Sequence, residues 1–217
     1  MTSQGRVRKT LAHEVPDGVP VDFGSTTVTG MHVSCVAALR DYYGLERRPV
    51  KVHHPYNCLG LPDDDLLDAM GIDVVGIFPR KTIYGYPNEN WKEYRMPWGQ
   101  VVLVSGHFQT TVDANGDLLT YPQGVTTAAP SGRMPVGGFF FDTIIRQEQI
   151  DEEQLNPQDN LEEFSPLSEE DLRYFKAQAE QCSSSGRDLS HAATSLFTHA
   201  ARWRRTGRAS KPHPALS

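Results

Sequence analysis

The sequence predicts an α/β fold in which strands alternate with helices, interrupted by a block of antiparallel hairpins. Residues 19–23 form a predicted strand before a helical pattern, and residues 72–78 are apolar at nearly every position, as in a parallel strand covered on both faces. The hairpin block covers residues 98–121, where Asn115-Gly116 lies between two strand-like runs. These patterns together favour a mixed α/β fold whose first strands are parallel.

The predicted helices follow in order along the chain. Apolar spacing and turn signals place them at residues 6–14, 30–43 and 62–69, with a further helix that Ser168 begins. The first ends at a Pro-Asp-Gly turn, and the second ends at Gly44. The third helix has acidic residues in its first turn, where the helix dipole favours negative charge. The Ser168 hydroxyl before the fourth helix can accept a hydrogen bond from a free N–H group of its first turn.

Composition excludes several classes of protein. The chain has 217 residues, of which 38% are hydrophobic, and it has no apolar run long enough to span a membrane and no secretory signal. Its three cysteines are too few and odd in number for a disulfide framework. We therefore expect a cytoplasmic protein with free thiols.

The end of the chain differs in charge from the rest. Residues 147–163 are acidic and polar, as in an exposed linker, whereas residues 182–217 carry six basic side chains and one acidic side chain. A helix at residues 192–203 is compatible with the pattern. The basic segment suits either an arm for an acidic partner or a poorly ordered tail, and we do not expect nucleic-acid binding.

Four segments, in this order, resemble the uroporphyrinogen decarboxylase superfamily, which includes the corrinoid-dependent methyltransferases. The segments are PDGVPVDFG, DDDLLDAMGIDVVGIFP, WGQVVLVSGHFQTTVDANGDLLTYPQG and PSGRMPVGGFFFD. The resemblance extends from about residue 6 to about residue 180. It implies a (β/α)8 TIM barrel, a fold that needs about 250 residues. We therefore expect residues 1–181 to be the N-terminal part of such a barrel, truncated after the first few βα units, and residues 182–217 to be a frame-shifted tail.

The resemblance also bears on the reaction. Decarboxylases of this superfamily hold substrate carboxylates with an Arg-rich loop after the first strand and the pyrrole nitrogens with an Asp after a later strand. Here residues 23–27 contain no Arg, and residues 77–81 contain no Asp. The sequence is therefore most similar to the methyltransferase branch, as an inactive fragment. The alternatives are a decarboxylase-type lyase of tetrapyrrole metabolism and a non-catalytic half-barrel that binds a partner chain.

Seven residues are candidate substrate contacts, and no catalytic residue is assigned. They lie in the first βα loop, after the second strand and in a Gly/Pro loop: Ser25, Thr26, Thr27, His32, Arg80, Lys81 and Arg133. Structural alternatives remain open for each group. Arg80 and Lys81 also suit a solvated strand end, and Arg133 also suits an arginine that holds its own loop.

Cofactors and partners are implied only by the resemblance. The superfamily's zinc, where present, has His and Cys ligands in the C-terminal half of the barrel, and its corrinoid is carried by a partner protein. His53, His54, Cys58 and Cys35 do not match a zinc spacing, so we predict no metal site and interpret them as buried thiols and surface imidazoles. The expected partners are a corrinoid protein or a complementary barrel half, together with a small-molecule substrate.

Overall fold

The computed structural model describes residues 1–145, 167–183 and 185–191, which form four helices and eleven strands. The helices are α1 (Ser3–Leu11), α2 (Val33–Tyr42), α3 (Asp64–Met70) and α4 (Glu169–Ser183). The strands are β1 (Met31–His32), β2 (Val50–His54), β3 (Leu59–Leu61), β4 (Val74–Ile77), β5 (Lys92–Arg95), β6 (Val101–Val104), β7 (Thr110–Val112), β8 (Leu118–Thr120), β9 (Gly132–Met134), β10 (Asp142–Thr143) and β11 (Asp188–His191).

The largest sheet has five strands in the order β1-β3-β2-β6-β5. Neighbouring strands run antiparallel except β2 and β6, which are parallel. Helix α2 packs on β2 and β3, and its Val33 and Val36 are buried with Val50, Val102 and Val104 of the sheet. This layer of helix on sheet is the main hydrophobic core of the described residues.

The antiparallel pair β2 and β3 is absent from the sequence-based prediction. Two histidines end the apolar alternation of β2, and its pairing with β3 shifts register between Val52 and His54. Adjacent strand residues point to opposite faces, yet His53 and His54 are each only 7% exposed. Both faces at the C-terminal end of β2 are therefore covered.

The second sheet has four antiparallel strands in the order β10-β9-β8-β7. It contains the hairpin of β7 and β8 that Asn115-Gly116 predicts, so that prediction is confirmed. The Asp113 carboxylate accepts hydrogen bonds from the N–H groups of Asn115 at 2.8 Å and Asp117 at 3.0 Å. Gly116 has a φ of +86°, which glycine adopts without steric cost.

Strands β4 and β11 form a parallel pair on which α4 packs. On the other side of β4, the N–H of Asp73 donates to the carbonyl of Val21 at 2.9 Å, and the Asp73 carboxylate accepts from the Val21 N–H at 3.0 Å. A β-carbon at Gly76 would collide with the backbone of Ser25. The loop that begins at residue 21 therefore lies directly against β4.

The predicted barrel is wrong for the described residues. Their strands form three separate sheets with mostly antiparallel pairing, and none of these sheets closes. A barrel needs a helix after every strand, because parallel neighbours require a crossover connection, whereas here short turns return the chain antiparallel after β2, β5 and β7. The predicted strand at residues 19–23 is also wrong, since the chain bends there and only Val21 bonds to Asp73.

Helix ends follow the capping chemistry of the sequence. Helix α4 begins after Ser168 as predicted, and the Ser168 hydroxyl accepts from the N–H of Asp171 at 3.1 Å. Helix α2 begins later than predicted, because Met31 and His32 pair with β3 as strand β1. Helix α3 ends at Gly71, which has a φ of +66°.

Some predictions fall on residues outside the described part of the chain. They are the acidic linker at 147–163 and the helix at 192–203. The predicted domain boundary after residue 181 falls inside α4, and β11, which follows α4, pairs with β4. None of the described helices has both the length and the apolar character that crossing a bilayer requires.

Candidate functional site

The first loop uses most of its hydroxyl groups internally. The Asp22 carboxylate accepts from the Ser25 N–H at 3.2 Å, from the Ser25 hydroxyl at 2.5 Å and from the Thr29 hydroxyl at 3.3 Å. The Thr26 hydroxyl accepts from the N–H groups of Val28 and Thr29. Thr27 Oγ1 is buried and has no hydrogen-bond partner among the described residues. Ser25 and Thr26 therefore hold the loop's own shape.

His32 is a helix cap and an aromatic contact. Its Nδ1 accepts from the N–H of Ser34 at 3.3 Å and lies 2.6 Å from the Ser34 hydroxyl, while its Nε2 lies 3.0 Å from the carbonyl oxygen of Phe139. The Trp98 and Phe139 rings lie 5.2 Å and 6.0 Å from the His32 ring. Both ring nitrogens are therefore occupied by protein groups.

Arg80 connects the end of β4 to the first turn of α4. Its guanidinium donates to the Asp171 carboxylate at 3.0 Å and forms an ion pair with Glu170. The neighbouring Lys81 is exposed and pairs with Pro87 through a β-bridge. The charge of Arg80 is thus balanced within the protein.

Arg133 lies on β9 of the other large sheet and is paired with Asp117. The N–H of Val136 and the Arg133 guanidinium lower the pKa of Asp117. Arg133 on β9 is therefore bound to Asp117, which directly precedes β8, the strand that pairs with β9. Arg80, His32 and Arg133 share no hydrogen bond or ion pair with one another among the described residues, and the seven predicted substrate contacts stay a prediction.

A different group of polar residues lies at the end of β2 and in the loop that covers it. We call His53, Thr82, Tyr86 and Asn88 the buried polar cluster. Asn88 Nδ2 donates to the His53 carbonyl at 2.7 Å, and the Thr82 N–H donates to the Tyr86 carbonyl at 2.8 Å. The Ser105 hydroxyl at the end of β6 donates to the Pro87 carbonyl at 2.7 Å. The loop of residues 81–88 is therefore bound over the ends of β2 and β6.

Each member of the buried polar cluster has a side-chain atom without a hydrogen-bond partner among the described residues. These atoms are His53 Nε2, Thr82 Oγ1, Tyr86 Oη and Asn88 Oδ1, and each is buried from solvent. An unpaired buried polar group costs about 1–3 kcal/mol, and folded proteins contain only a few of them per hundred residues. One such atom lies on β2 and three lie on the loop of residues 81–88, so we take this region as the candidate site.

The buried polar cluster is uncharged near neutral pH. Burial, and then the neighbouring His54, lower the pKa of His53 to about 3, and burial lowers the pKa of His54 to about 4. Burial raises the pKa of Cys58 to about 12, and burial followed by the effect of Cys58 raises the pKa of Tyr86. The imidazoles, the thiol and the phenol therefore all remain neutral at pH 7.

Zinc does not fit these residues. Among the described residues, no group of three His, Cys, Asp or Glu side chains could hold a metal ion. Cys58, the cysteine beside this cluster, is fully buried, and its thiol donates to the Pro55 carbonyl at 3.6 Å. The interpretation of His53 and His54 as surface imidazoles is wrong, because residues from both faces cover the end of β2.

A signal for this site was present in the sequence. Two adjacent histidines follow a short apolar run, and two tyrosines lie in the segment after Phe78. Only the fold shows that the loop with these tyrosines covers the end of β2. No protein-family model, curated protein or solved structure matches this chain. The resemblance to the uroporphyrinogen decarboxylase superfamily therefore remains a prediction.

Proposed function

We propose that this chain is most like the corrinoid-dependent methyltransferase branch of the uroporphyrinogen decarboxylase superfamily, as an inactive fragment that binds a small molecule with little negative charge. The observation that carries this choice is the pairing of the two candidate arginines. Arg80 is balanced by Glu170 and Asp171, and Arg133 by Asp117. A porphyrinogen with many carboxylates needs guanidinium groups that are available to it.

The alternative reaction, decarboxylation in tetrapyrrole metabolism, fits these residues less well. Of the three cationic candidates, only Lys81 has no ion pair among the described residues. Its ammonium group is a point charge on a flexible stem and does not bind a carboxylate through two parallel hydrogen bonds as arginine does. The loop after residue 23 contributes hydroxyl groups that already bond to Asp22 and to one another. Neither candidate arginine is therefore available to hold a carboxylate of a tetrapyrrole.

A corrinoid held by a partner protein would supply the methyl-carrying metal, as the resemblance implies. The contribution of this chain would be to bind and orient the small molecule. A cytoplasmic location agrees with the cysteines, since Cys35, Cys58 and Cys182 are all free thiols. Zinc has no part in the proposal, because the described residues do not fit it.

Two ligands distinguish the reactions in a binding experiment. The purified chain is titrated with methylcobalamin and, separately, with uroporphyrin, and binding is followed by absorbance and by tryptophan fluorescence. We expect saturable binding of methylcobalamin and no saturable binding of uroporphyrin.

The matched variant is Arg80→Gln, which removes the guanidinium but keeps a polar side chain. It should leave methylcobalamin binding unchanged. Saturable uroporphyrin binding that Arg80→Gln abolishes would instead assign the decarboxylase alternative and overturn the proposal.

A further inference from the structure

We propose that strand β5 (Lys92–Arg95) is a dimer interface at which two copies of this chain pair their β5 strands antiparallel about a two-fold axis. The pairing joins the five-stranded sheets of the two copies into one continuous sheet. It sets Glu93 of each copy opposite Arg95 of the second copy. This interface does not rest on the proposed reaction.

Strand β5 is an open edge of the five-stranded sheet. It is the last strand in the order β1-β3-β2-β6-β5 and pairs with β6 on one side. The strand at the opposite edge, β1, has only two residues. An open edge presents a row of backbone N–H and C=O groups, and an approaching strand can bond to them. Strand β5 is therefore the longer edge at which this sheet can be extended.

Pairing with β6 determines which residues of β5 direct their backbone groups outward. The N–H of Met96 donates to the carbonyl of Gln100 at 2.9 Å, at the turn that connects β5 to β6. Hydrogen-bonded positions recur at every second residue of an antiparallel pair, so Tyr94 also bonds to β6. The N–H and C=O groups of Glu93 and Arg95 therefore point away from the sheet.

The side chains at these two outward positions carry opposite charges. Glu93 and Arg95 are exposed, whereas Tyr94 between them packs against the core, and its hydroxyl lies 3.0 Å from Thr110 Oγ1. Arg95 donates to the carbonyl of Gly99 at 2.9 Å, and neither charged side chain has an ion pair among the described residues. Both charges are therefore available to a second chain.

Charge selects one register for two copies of β5. If the outward backbone groups are to bond across the two-fold axis, the axis passes beside Glu93, Tyr94 or Arg95. An axis at Glu93 or at Arg95 sets two like charges opposite each other, which is destabilising. An axis at Tyr94 sets Glu93 opposite Arg95 of the second copy, and the two residues of such a pair exchange both backbone hydrogen bonds. Strand β5 is therefore complementary to itself in this register and not in the other two.

The proposed interface is short. The next outward position after Arg95 is Pro97, which has no N–H and cannot donate to a second strand. Bonding between the copies is therefore confined to Glu93 and Arg95. A small interface gives a weak dimer, whose population rises with protein concentration.

Sedimentation velocity of the full chain at low ionic strength, over a range of protein concentrations, tests the proposal. We expect a reversible equilibrium between monomer and dimer. Amide hydrogen exchange then locates the contact. The N–H groups of Glu93 and Arg95 should exchange more slowly as the dimer forms, whereas that of Tyr94, which bonds to β6, should be protected at every concentration.

Charge reversal tests the register. Glu93→Arg and Arg95→Glu each set like charges opposite each other, and each should raise the dissociation constant of the dimer about tenfold. The double variant Glu93→Arg/Arg95→Glu should dimerise like the unsubstituted chain, and a mixture of the two single variants should form heterodimers. The matched control is Glu14→Arg, which makes the same change of charge at an exposed position elsewhere and should leave dimerisation unchanged.

A chain that stays monomeric at every concentration would overturn the proposal, since the charges would then serve only to keep other strands away from this edge. A dimer that both single variants leave intact also overturns it, as does one that neither the double variant nor the mixture restores. Exchange at Glu93 and Arg95 that is independent of concentration has the same consequence. None of these measurements uses a ligand, so failure here is distinguishable from failure of the methylcobalamin titration.

Discussion

Two regions of this protein bury polar side chains in opposite ways. The first is the Arg40 cluster, which comprises Arg40, Glu46, Asp63 and Asp65, and the second is the buried polar cluster around His53. Arg40 is 1% exposed, yet its five N–H donors make five hydrogen bonds, to the Glu46 carbonyl and to the carboxylates of Asp63 and Asp65. His53 is 7% exposed, and its Nε2 has no partner among the described residues.

The two regions differ in how completely the protein satisfies the polar groups that it buries. A buried group that serves only the fold is expected to have all its hydrogen bonds satisfied by the protein, as Arg40 has. Four side-chain atoms of the buried polar cluster have no partner among the described residues, and the His53 ring lies 4.4 Å from the partly exposed Phe78 ring. The comparison therefore predicts that the two regions respond differently to acid, to truncation and to loss of a hydroxyl.

Acid should have the largest effect, and it should act on the His53 region first. The pKa values of His53 and His54 are lowered to about 3 and about 4, whereas a histidine in the unfolded chain titrates at about 6.5. The unfolded chain therefore takes up protons first. Stability is complete above pH 6.5 and falls toward pH 4, with a loss of about 2 kcal/mol per histidine by about pH 5. Urea denaturation at several pH values measures this loss.

The Arg40 cluster should keep its contribution over the same pH range. The Arg40 guanidinium lowers the pKa of Asp65 to about 2, so those bonds weaken only as the pH falls below about 4. The variant His53→Phe should remove about half of the loss between pH 6.5 and pH 5, whereas the exposed His13→Gln should not change it. Stability that stays constant from pH 7 to pH 5 would contradict this prediction.

Truncation of Arg40 should have the next largest effect. Arg40→Met keeps much of the aliphatic volume but leaves the Glu46 carbonyl without its two donors and Asp65 without its bidentate partner. We expect the free energy of unfolding to fall by about 3 kcal/mol, measured by urea denaturation at pH 7.

The matched control is Arg47→Met. Arg47 pairs with Asp41 at 2.7 Å, but its side chain is 83% exposed. Its loss should cost less than about 1 kcal/mol, because solvent replaces the interaction. If both variants lose equal stability, burial is not what distinguishes Arg40.

Removal of a hydroxyl should have the smallest effect on stability, and it should differ in sign or size between Tyr86 and Tyr121. Tyr86→Phe deletes a buried hydroxyl without a partner among the described residues, so its stability should change by less than about 0.5 kcal/mol or increase. Tyr121→Phe deletes a hydroxyl that lies 2.5 Å from Thr111 Oγ1, and it should lose about 1 kcal/mol. Thermal unfolding of both variants measures the difference, and a larger loss in Tyr86→Phe would show that its hydroxyl is satisfied in solution.

Local patterns predicted the parts of the fold that depend on neighbouring residues. The hairpin around Asn115-Gly116 and the start of α4 after Ser168 are both confirmed. They were predictable because turn geometry and helix capping involve residues within a few positions of one another. Strands β2 and β3 were not predicted, since histidines interrupt the apolar alternation of β2 and its stability comes from α2 and β6.

The candidate site illustrates the same limit. Arg80 and Arg133 were chosen for their charge and their places at loop ends, but Glu170, Asp171 and Asp117 approach them only in the folded chain. Sequence contained the adjacent His53 and His54 without showing that both would be buried. The partners of these arginines are far from them in the sequence, so the sequence does not show which charged side chains form ion pairs.

The sequence by itself determined the composition, the local elements with clear capping or turn signals, and the supply of polar and aromatic residues. Tertiary structure alone decided that the sheets are open and mostly antiparallel, and that the loop of residues 81–88 covers the end of β2. The physical reason is that strand pairing and desolvation are set by contacts between distant segments. Those contacts leave His53 and Tyr86 neutral and unpaired within the described chain, while they give Arg40 all of its hydrogen bonds.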